Sequence, residues 1–384
     1  MNNFVVSSLG RPQERGDWSL IFSMIAIVIA VLVFPLLPLT PPELQENRVL
    51  SERPTLPTSI KEWASLPSTL DSYVADHFPL RPYLISALNM ARYELGYSGS
   101  KRVIVGKDGW LFYDTDDHLG ITAGKVRMDA ANLAIWLQGF EQRVRYLKGR
   151  GIPFYMIMGP VKEDILAQYR PGWMPEGRVT TEIDDFLRVT RAAGYTQLVD
   201  PRPEMLASGD IEQLYSRYDT HWTGLGGYIG YKTLMARVAE DFPDMAPLPI
   251  TAFKAVNIPP EQQPRNMALM LGLNRLPSIV TYATVPEHEA DKTTFLSERH
   301  DWTAPAILHT ESKSGKTLLL IRDSFSHEML PFLKAHFSNI IVVHAQDGFF
   351  RADLVERYKP DAVILEIIST GARFVMNPLP DLQP

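Results

Sequence analysis

The chain has 384 residues, of which 45% are hydrophobic and 21% are charged, so it is long and apolar enough to form a large buried core. Its formal net charge is -6 and it has no long basic run, which argues against nucleic-acid binding. It contains no cysteine, which excludes disulfides, thiolate metal ligands and a cysteine nucleophile but leaves the cellular compartment open.

An uncharged apolar stretch lies near the N-terminus. Residues 18–39 have the sequence WSLIFSMIAIVIAVLVFPLLPL, which is long enough to cross a bilayer. An uncleaved anchor and a cleaved signal peptide are the two interpretations, and the length of the stretch without a following small-residue cleavage site favours the anchor. The short tail of residues 1–17 favours a cytoplasmic N-terminus. In a bacterium this predicts a single-pass inner-membrane protein with a periplasmic domain.

The region after this stretch predicts a linker, helices and a hairpin. Residues 40–60 are rich in proline and polar residues, which indicates a linker. Apolar spacing over residues 70–95 predicts helical segments interrupted at Pro79 and Pro82. The sequence KRVIVGKDGWLFYDTD at residues 101–116 predicts a β-hairpin with KDG as its turn.

From residue 128 onward, apolar runs typical of buried strands alternate with helical patterns. This alternation predicts a three-layer α/β fold with a mostly parallel sheet. Between about residues 243 and 315 the pattern is lost, and this polar, proline-rich and aromatic segment predicts an insertion that covers one face. The predicted helices are residues 128–150, 180–193, 225–240, 326–337 and 351–358, and the predicted strands are residues 152–158, 195–200, 317–321, 339–345 and 361–368.

Polar residues that can carry chemistry lie at three places where a strand or loop meets a helix. In open α/β sheets, ligand-contacting residues gather beyond the carboxyl ends of the strands, at such junctions. The three stretches are IMGPVKED at residues 157–164, YDTHW at residues 218–222 and RDSF at residues 322–325.

In RDSF, Ser324 lies between an apolar strand and a predicted helix. At this position its hydroxyl can be presented at the sheet edge and its backbone N–H can stabilise an oxyanion. The alternative is that Asp323, Ser324 or Ser326 caps the helix, as serine and aspartate commonly do. Taken alone, RDSF favours capping.

In YDTHW, Asp219 and His221 are two residues apart, so in an extended segment their side chains point to the same side. Asp219 can then accept a hydrogen bond from one ring nitrogen and leave the other free to deprotonate a serine. The alternatives are that Asp219 or Thr223 caps the next helix and that His221 is a core residue. A metal site is disfavoured because two ligands are too few and the other histidines lack ligand spacing.

Four further residues are candidates for contacts with substrate or with an oxyanion. Gly159 and Lys162 follow a predicted strand and can line an acceptor groove or help to stabilise an oxyanion. Their alternative is a strand-end turn with a solvated lysine. Tyr218 and Trp222 flank the Asp–His pair, where packing is favoured and sugar stacking is the alternative.

In combination these stretches resemble a known family. DTHW before a glycine-containing helix, with RDSF following roughly 100 residues later, is similar to the SGNH-hydrolase-like alginate O-acetyltransferases of the AlgX and AlgJ type and to the related DHHW proteins. The stretches DHFPLR, GKDGWLFY, PVK and PDAVILEI fit the same family in the same order. The resemblance implies an SGNH-hydrolase-like domain over residues 61–372, followed by a tail over residues 373–384.

The resemblance also implies roles for three residues. Ser324 would be the nucleophile, His221 its base and Asp219 the acid that orients the base, with no metal or other cofactor. Ordinary SGNH hydrolases place the serine first and the Asp–His pair last. The order here therefore implies a circularly rearranged motif, which leaves triad geometry unaffected.

The chain departs from the ordinary SGNH pattern at two places. Arg322 stands where the usual GDS block has glycine, which makes it a candidate for oxyanion or substrate contacts and leaves one backbone donor unassigned. The asparagine block has no clear counterpart, and Asn266 and Asn274 are its candidates. The oxyanion donors beyond the Ser324 amide therefore stay open.

The function implied by the resemblance is O-acetylation of a secreted exopolysaccharide, such as alginate or cellulose, through an acetyl-enzyme. The implied partners are the polysaccharide acceptor and a membrane-bound O-acyltransferase that supplies the acetyl group. Two alternatives are a carbohydrate acetylesterase with the same triad and a non-catalytic polysaccharide-binding component. Transfer and hydrolysis differ in how well the pocket excludes water, which the residues alone do not reveal.

Overall fold

The computed structural model of the protein describes residues 14–34, 37, 40–42, 49–253, 256–257, 265–273, 276, 282–283, 292–379 and 382. By its internal contacts the chain divides into two compact units. The first comprises Met1–Ala91 with Leu271–Asn274, and the second comprises Arg92–Met270 with Arg275–Pro384. The division falls at residue 91, inside the domain that the sequence predicts from 61 to 372.

Three helices occupy the N-terminal region, α1 (Glu14–Val33), α2 (Ile60–His77) and α3 (Arg81–Glu94). The side chain of Ser59 caps α2 by accepting a hydrogen bond from the Glu62 amide. The break between α2 and α3 confirms the predicted interruption at Pro79, but the one predicted at Pro82 is wrong, because Pro82 lies in the first turn of α3. Both helices keep most of their apolar side chains exposed.

The predicted membrane anchor over residues 18–39 is not confirmed. Within the part of the chain that the structure describes, no helix combines the length and the apolar character that crossing a bilayer requires. Helix α1 ends at Val33. Residues 35, 36, 38 and 39 lie outside the described residues.

A seven-stranded mixed sheet organises the second unit, in the order β4-β3-β11-β9-β10-β8-β7. The strands from β4 to β10 in this order are parallel, and β8 and β7 add an antiparallel edge. The strands of the chain are β1 (Val103–Val105), β2 (Leu111–Tyr113), β3 (Phe154–Gly159), β4 (Leu198–Val199), β5 (Val256–Asn257), β6 (Tyr282–Ala283), β7 (Lys292–Phe295), β8 (Ala306–His309), β9 (Thr317–Arg322), β10 (Asn339–His344) and β11 (Ala362–Ile368).

Helices cover both faces of this sheet. Alternate residues of β3 point to opposite faces: Tyr155 packs in a cluster with Leu234 of α9, whereas Met156 packs in a cluster with Phe140 of α5 and Phe186 of α7. The predicted three-layer α/β architecture is therefore confirmed. The remaining helices are α4 (His118–Thr122), α5 (Ala130–Lys148), α6 (Lys162–Ile165), α7 (Glu182–Ala192), α8 (Arg202–Leu206), α9 (Gly224–Asp241), α10 (Asn266–Met270), α11 (Leu330–Leu333), α12 (Ala352–Tyr358) and α13 (Ala372–Val375).

Local predictions with clear turn chemistry are confirmed. β1 and β2 form the expected antiparallel hairpin, with Val103 opposite Tyr113. The predicted helix over residues 326–337 is wrong in detail, because a 3₁₀ turn at Ser324–Glu328 is followed only by the short α11. Pro331 lies in the first turn of α11, and a proline is tolerated at such a position but not within a continuous helix.

The segment between residues 243 and 315 is more than a covering insertion. Its strands β7 and β8 extend the main sheet, and β7 is exposed along its whole length. A short polar edge strand lacks the apolar run by which a buried strand is recognised, so the sequence pattern misses it. The predicted C-terminal tail, residues 373–384, begins inside a helix. Helix α13 spans Ala372–Val375, and Arg143 donates a hydrogen bond to the Val375 carbonyl.

Candidate active site

Ser324 begins the 3₁₀ turn that follows β9. Asp323 caps this turn by accepting a hydrogen bond from the Phe325 amide at 2.8 Å, and its other oxygen accepts one from the Ile368 amide at 2.7 Å. Capping is thus the role of Asp323, which ties the turn to the end of β11. The Ser324 hydroxyl is left available for another partner.

Asp219 and His221 lie at the tip of a closed loop. An isolated bridge between Tyr215 and Trp222 closes its base, and Thr223 caps α9 by accepting a hydrogen bond from the Gly226 amide. Asp219 accepts a hydrogen bond from the backbone N–H of His221 at 3.1 Å, the Asx-turn pattern. The two side chains therefore meet through a turn rather than through the extended segment that the spacing predicts.

The three side chains that the sequence selects form one hydrogen-bonded line. His221 Nδ1 lies 2.6 Å from Asp219 Oδ1, and His221 Nε2 lies 2.8 Å from Ser324 Oγ. In the tautomer that satisfies both contacts, Nδ1–H donates to the carboxylate and Nε2 accepts from the serine hydroxyl. The imidazole thus bridges a carboxylate two positions before it in the sequence and a hydroxyl 103 positions after it.

Asn266 holds the acidic end of this line. Its backbone N–H donates to Asp219 Oδ2 at 2.7 Å, and its side chain both donates to Thr220 Oγ1 and accepts from the Thr220 amide. Burial alone would raise the pKa of Asp219, but the hydrogen bonds from His221 and the Asn266 amide lower that pKa below its ordinary value. Asn266 therefore orients Asp219 in this structure, and Asn274 lies outside the described residues.

Lys162 supports the same loop from beneath. Its side chain is buried, and Nζ donates to the carbonyls of Asp219 at 2.6 Å and Leu111 at 3.0 Å, with Arg217 O at 3.5 Å. Burial lowers the pKa of Lys162 to about 7, although Glu163 and Asp219 oppose this shift. The solvated lysine that the sequence allowed is wrong, because the strand-end turn points this side chain inward.

A pair of buried carboxyl groups lies behind the Ser324 turn. Glu366 on β11 is fully buried, and neither of its carboxyl oxygens has a hydrogen-bond partner among the described residues. An ionised carboxylate without a partner is costly to bury, so burial favours the neutral form. Burial and the charge of Asp323 raise the pKa of Glu366 well above its ordinary value, which assigns the proton to Glu366. A glutamate inside the apolar run AVILEII was a sequence signal for this pair.

Gly159 and Arg322 flank the turn without reaching the line of three. A Cβ on Gly159 would lie 3.0 Å from the Phe325 ring and 3.4 Å from Glu366 Oε1, so glycine permits the close approach. Arg322 is 5% exposed, and it donates to Trp302 O at 2.8 Å and to Ser326 Oγ at 3.3 Å. Through these hydrogen bonds Arg322 links the Ser324 turn to the loop that follows β7.

Tyr218 and Trp222 are packing residues. Trp222 is 2% exposed, its indole N–H donates to Phe325 O at 2.8 Å, and its ring packs against the Phe325 ring. Tyr218 is 7% exposed, and its carbonyl accepts hydrogen bonds from the first turn of α10. Neither ring has a free face for a sugar, so the substrate-contact alternative for these two residues does not fit their burial.

A largely apolar cavity of about 430 Å³ lies next to the line of three. Its wall includes Lys162, Thr220 and Ile368 at the carboxyl edge of the sheet, together with the buried His118. Thr220 separates Asp219 from His221 in the chain, so the cavity adjoins the site from the side. Among the described residues, no group of three or more histidine, aspartate or glutamate side chains is arranged to hold a metal ion.

This geometry can be compared with known proteins. Residues 103–358 match the family described as ALGX, the SGNH hydrolase-like domain of the acetyltransferase AlgX. The chain belongs to this family. The matched segment includes Asp219, His221 and Ser324, and the family membership confirms the resemblance drawn from the motifs.

Relatives of this AlgX-type chain extend the comparison. The probable alginate O-acetylase AlgJ of Pseudomonas aeruginosa is 27% identical over 179 residues, which cover 46% of this chain and 43% of AlgJ. The chain thus matches less than half the length of that relative. Bacillus cereus PatB1 with a sulfonyl adduct superposes with a TM-score of 0.53 at 11% identity, over 70% of this chain and 97% of PatB1.

A DHHW family protein from Eubacterium siraeum has the same fold. It superposes with a TM-score of 0.50 at 17% identity and covers 72% of this chain and 99% of its own. At these identities both structural matches establish the fold alone. The SGNH-hydrolase-like α/β fold is thus supported by the family match and by the two structures.

Proposed function

We propose that the chain is an O-acetyltransferase that acetylates hydroxyl groups of a secreted polysaccharide through a covalent acetyl-serine. The observation that carries the proposal is the hydrogen-bonded line from Asp219 through His221 to Ser324, in a chain of the AlgX family. A nucleophile, a base and an orienting acid are the parts that acyl transfer requires.

In the first step His221 Nε2 accepts the Ser324 proton as Oγ attacks the carbonyl carbon of the donor's acetyl group. The tetrahedral intermediate collapses, the bond from the acetyl carbon to the leaving group breaks, and His221 returns the proton to the leaving group. The backbone N–H of Ser324, at the start of its turn, is the proposed donor to the oxyanion. Asp219 stabilises the imidazolium while the proton resides on His221.

In the second step a sugar hydroxyl attacks the acetyl-serine. His221 takes the proton of this hydroxyl, and the ester bond to Ser324 breaks. Oγ then recovers the proton from His221, so the enzyme returns to its starting state and the product is an acetylated sugar. If water attacks instead, the same groups release acetate, which is the esterase alternative.

The proposal is tested by supplying the full-length protein with a chromogenic acetyl ester, with and without oligosaccharides of β-mannuronate or of β-glucose. Ser324→Ala should lower kcat by ~10⁴-fold or more, because it removes the nucleophile. Ser68→Ala, at an exposed serine, is the matched control and should leave kcat unchanged.

Three results distinguish the functions. Acetyl groups found on the oligosaccharide by mass spectrometry support transfer. Release of acetate that does not decrease when an oligosaccharide is added supports an esterase. If the chromogenic ester is cleaved neither with nor without oligosaccharide, and Ser324→Ala leaves the acetyl content of the cell's glycan unchanged, the chain is a binding component. The acetyltransferase proposal is then wrong.

We also propose that the chain works outside the inner membrane and receives acetyl groups from a membrane-bound O-acyltransferase. Helix α1 supports attachment, because Trp18, Phe22 and Met24 are each more than half exposed. Deletion of residues 14–33 should release the protein from washed membranes, whereas retention after this deletion would contradict attachment through α1.

A further inference from the structure

The loop over residues 296–305, between β7 and β8, reaches the same sheet edge as Ser324. Strand register establishes this: Arg322 at the end of β9 lies opposite His344, two residues beyond Val342, which pairs with Ala306 at the start of β8. Ala306 in turn pairs with Phe295 at the end of β7. The loop therefore projects from the carboxyl edge, beside the Ser324 turn.

Trp302 in this loop has its ring at the surface. It is 47% exposed, and its centroid lies 4.8 Å from that of His327 and 4.9 Å from that of His344. Arg322 fixes the loop by donating to the Trp302 carbonyl at 2.8 Å. The indole is thus held in place by its neighbours while part of its surface remains open to solvent.

His327 connects this ring to the nucleophile. It lies three residues after Ser324 in the 3₁₀ turn, and positions three apart lie on the same face of such a turn. Partial burial lowers the pKa of His327 to about 4, and the charges of Arg322 and His221 contribute to this shift. The ring is therefore neutral at pH 7, and it lies against Trp302 in the same turn as Ser324.

A second aromatic pair continues along the same edge. His300 stacks on Phe295 with centroids 4.5 Å apart, and Phe295 is 36% exposed. From β9 to β7 the edge crosses three strand spacings, or ~14 Å. This length accommodates a chain of sugar rings, which stack their apolar faces on aromatic side chains and direct their hydroxyls to polar groups.

The charges along this edge do not suit an anionic polymer. Glu298 and Asp301 are exposed in the loop, and Arg299 is paired with Asp347. The guanidinium of Arg322 is buried beneath Trp302. The surface from Trp302 to Phe295 therefore presents carboxylates without a matching excess of cations, and the whole chain has a net charge of -6.

We propose that the edge formed by His327, Trp302 and the Phe295–His300 pair binds the acceptor as a neutral glycan, with one sugar on Trp302 beside Ser324. This inference rests on the proposed function in taking the acceptor to be a polysaccharide. It goes beyond that function by assigning a binding surface and by selecting an uncharged polymer over a polyuronate.

The test measures binding by calorimetry in full-length protein that carries Ser324→Ala, so that no acetyl transfer is needed. The probes are cellohexaose as a neutral glycan and a β-mannuronate hexamer as an anionic one. We expect Trp302→Ala to weaken cellohexaose binding about three- to tenfold, and Trp302→Phe to weaken it less, because phenylalanine keeps an aromatic face. Trp173→Ala, at a tryptophan that is 50% exposed elsewhere, should leave binding unchanged.

Each outcome decides the inference. Weaker cellohexaose binding by the Trp302→Ala protein, but not by the Trp173→Ala protein, supports the inference when the Tm of both variants is unchanged. Equal binding by the Trp302→Ala protein, tighter binding of the mannuronate hexamer, or no binding of cellohexaose at all overturns it. Because binding is measured without turnover, the inference can hold even if the chain transfers no acetyl group.

Discussion

At the residue scale, the site depends on side chains that hold backbone atoms as well as on those that would react. Both carboxylate oxygens of Asp219 accept hydrogen bonds, one from His221 and the other from the Asn266 amide, and Lys162 donates a hydrogen bond to the Asp219 backbone carbonyl. The loop tip is thereby fixed by hydrogen bonds. The motif DTHW supplies the chemistry, and residues distant in sequence supply its position.

Lys162→Met tests this support. Methionine keeps the length and the burial but leaves the three carbonyls without the ammonium, so we expect a loss of ~2–4 kcal/mol in the free energy of unfolding. We also expect kcat to fall about tenfold as the Asp219 loop loosens. Lys232→Met, at an exposed lysine, is the control.

The pH dependence of this variant has a definite sign. The folded pKa of Lys162, about 7, lies below its ordinary value of 10.5, so between these values the unfolded chain binds more protons. The stability advantage of the wild type over Lys162→Met should therefore grow as the pH rises from 7 to 9. An advantage that stays constant over this range would show that Lys162 stays charged in the folded protein.

At the element scale, helix α9 and the Ser324 turn approach at backbone contact. A Cβ on Gly227 would lie 2.5 Å from the carbonyl oxygen of Glu328, the last residue of that turn. Glycine at position 227 is therefore explained by packing against the Ser324 turn, whereas Gly226 and Gly230 lie against Trp222. The close approach at Gly227 brings His221, which precedes α9, to the hydroxyl of Ser324.

Gly227→Ala tests this approach. Alanine favours a helix over glycine by about 1 kcal/mol, so any net loss must come from the clash with Glu328. We expect the free energy of unfolding to fall by ~1–3 kcal/mol and kcat to fall at least tenfold as the turn shifts away from His221. Gly149→Ala, where a Cβ would meet nothing closer than 3.5 Å, should be neutral, and a stabilised Gly227→Ala protein would contradict the packing account.

At the scale of the whole molecule, the buried carboxyl pair gives unfolding a distinct response to pH. The pKa of Glu366 is raised in the folded state, so above the ordinary glutamate pKa of 4.5 the unfolded chain binds fewer protons than the folded one. The contribution of Glu366 to stability is therefore greatest at low pH and declines as the pH rises. Asp323, Arg322 and the backbone at Gly159 are the groups that face it.

Glu366→Gln removes this decline, because the amide keeps the size of the carboxyl group without carrying an ionisable proton. Measured by thermal unfolding, the variant should gain on the wild type as the pH rises from 5 to 8, reaching a Tm ~2–4 °C higher at pH 8. Glu356→Gln, at a surface carboxylate paired with Arg150, should show no such gain. A constant difference between variant and wild type across this range would place the proton elsewhere.

Much of the fold could be predicted because its signals are local. Apolar runs such as FYMIMG and AVILEII, separated by helical patterns, specify buried parallel strands, and KDG specifies the turn between β1 and β2. The antiparallel edge could not be predicted, because β7 is short, polar and exposed. Its place in the sheet comes from hydrogen bonds to β8 and not from any pattern of its own.

The same division applies to the candidate site. By itself the sequence determined the alternation of strands and helices, because periodicity and turn chemistry depend on neighbouring residues. Its resemblance to the AlgX-type family then selected Asp219, His221 and Ser324. Only the tertiary structure decided that Asn266 and Lys162 hold the Asp219 loop, that Glu366 lies behind Ser324, and that Trp302 rather than Trp222 has an open ring. These contacts join residues far apart in the chain, and burial and hydrogen bonding at such separations exist only once the sheet has brought its strand ends together.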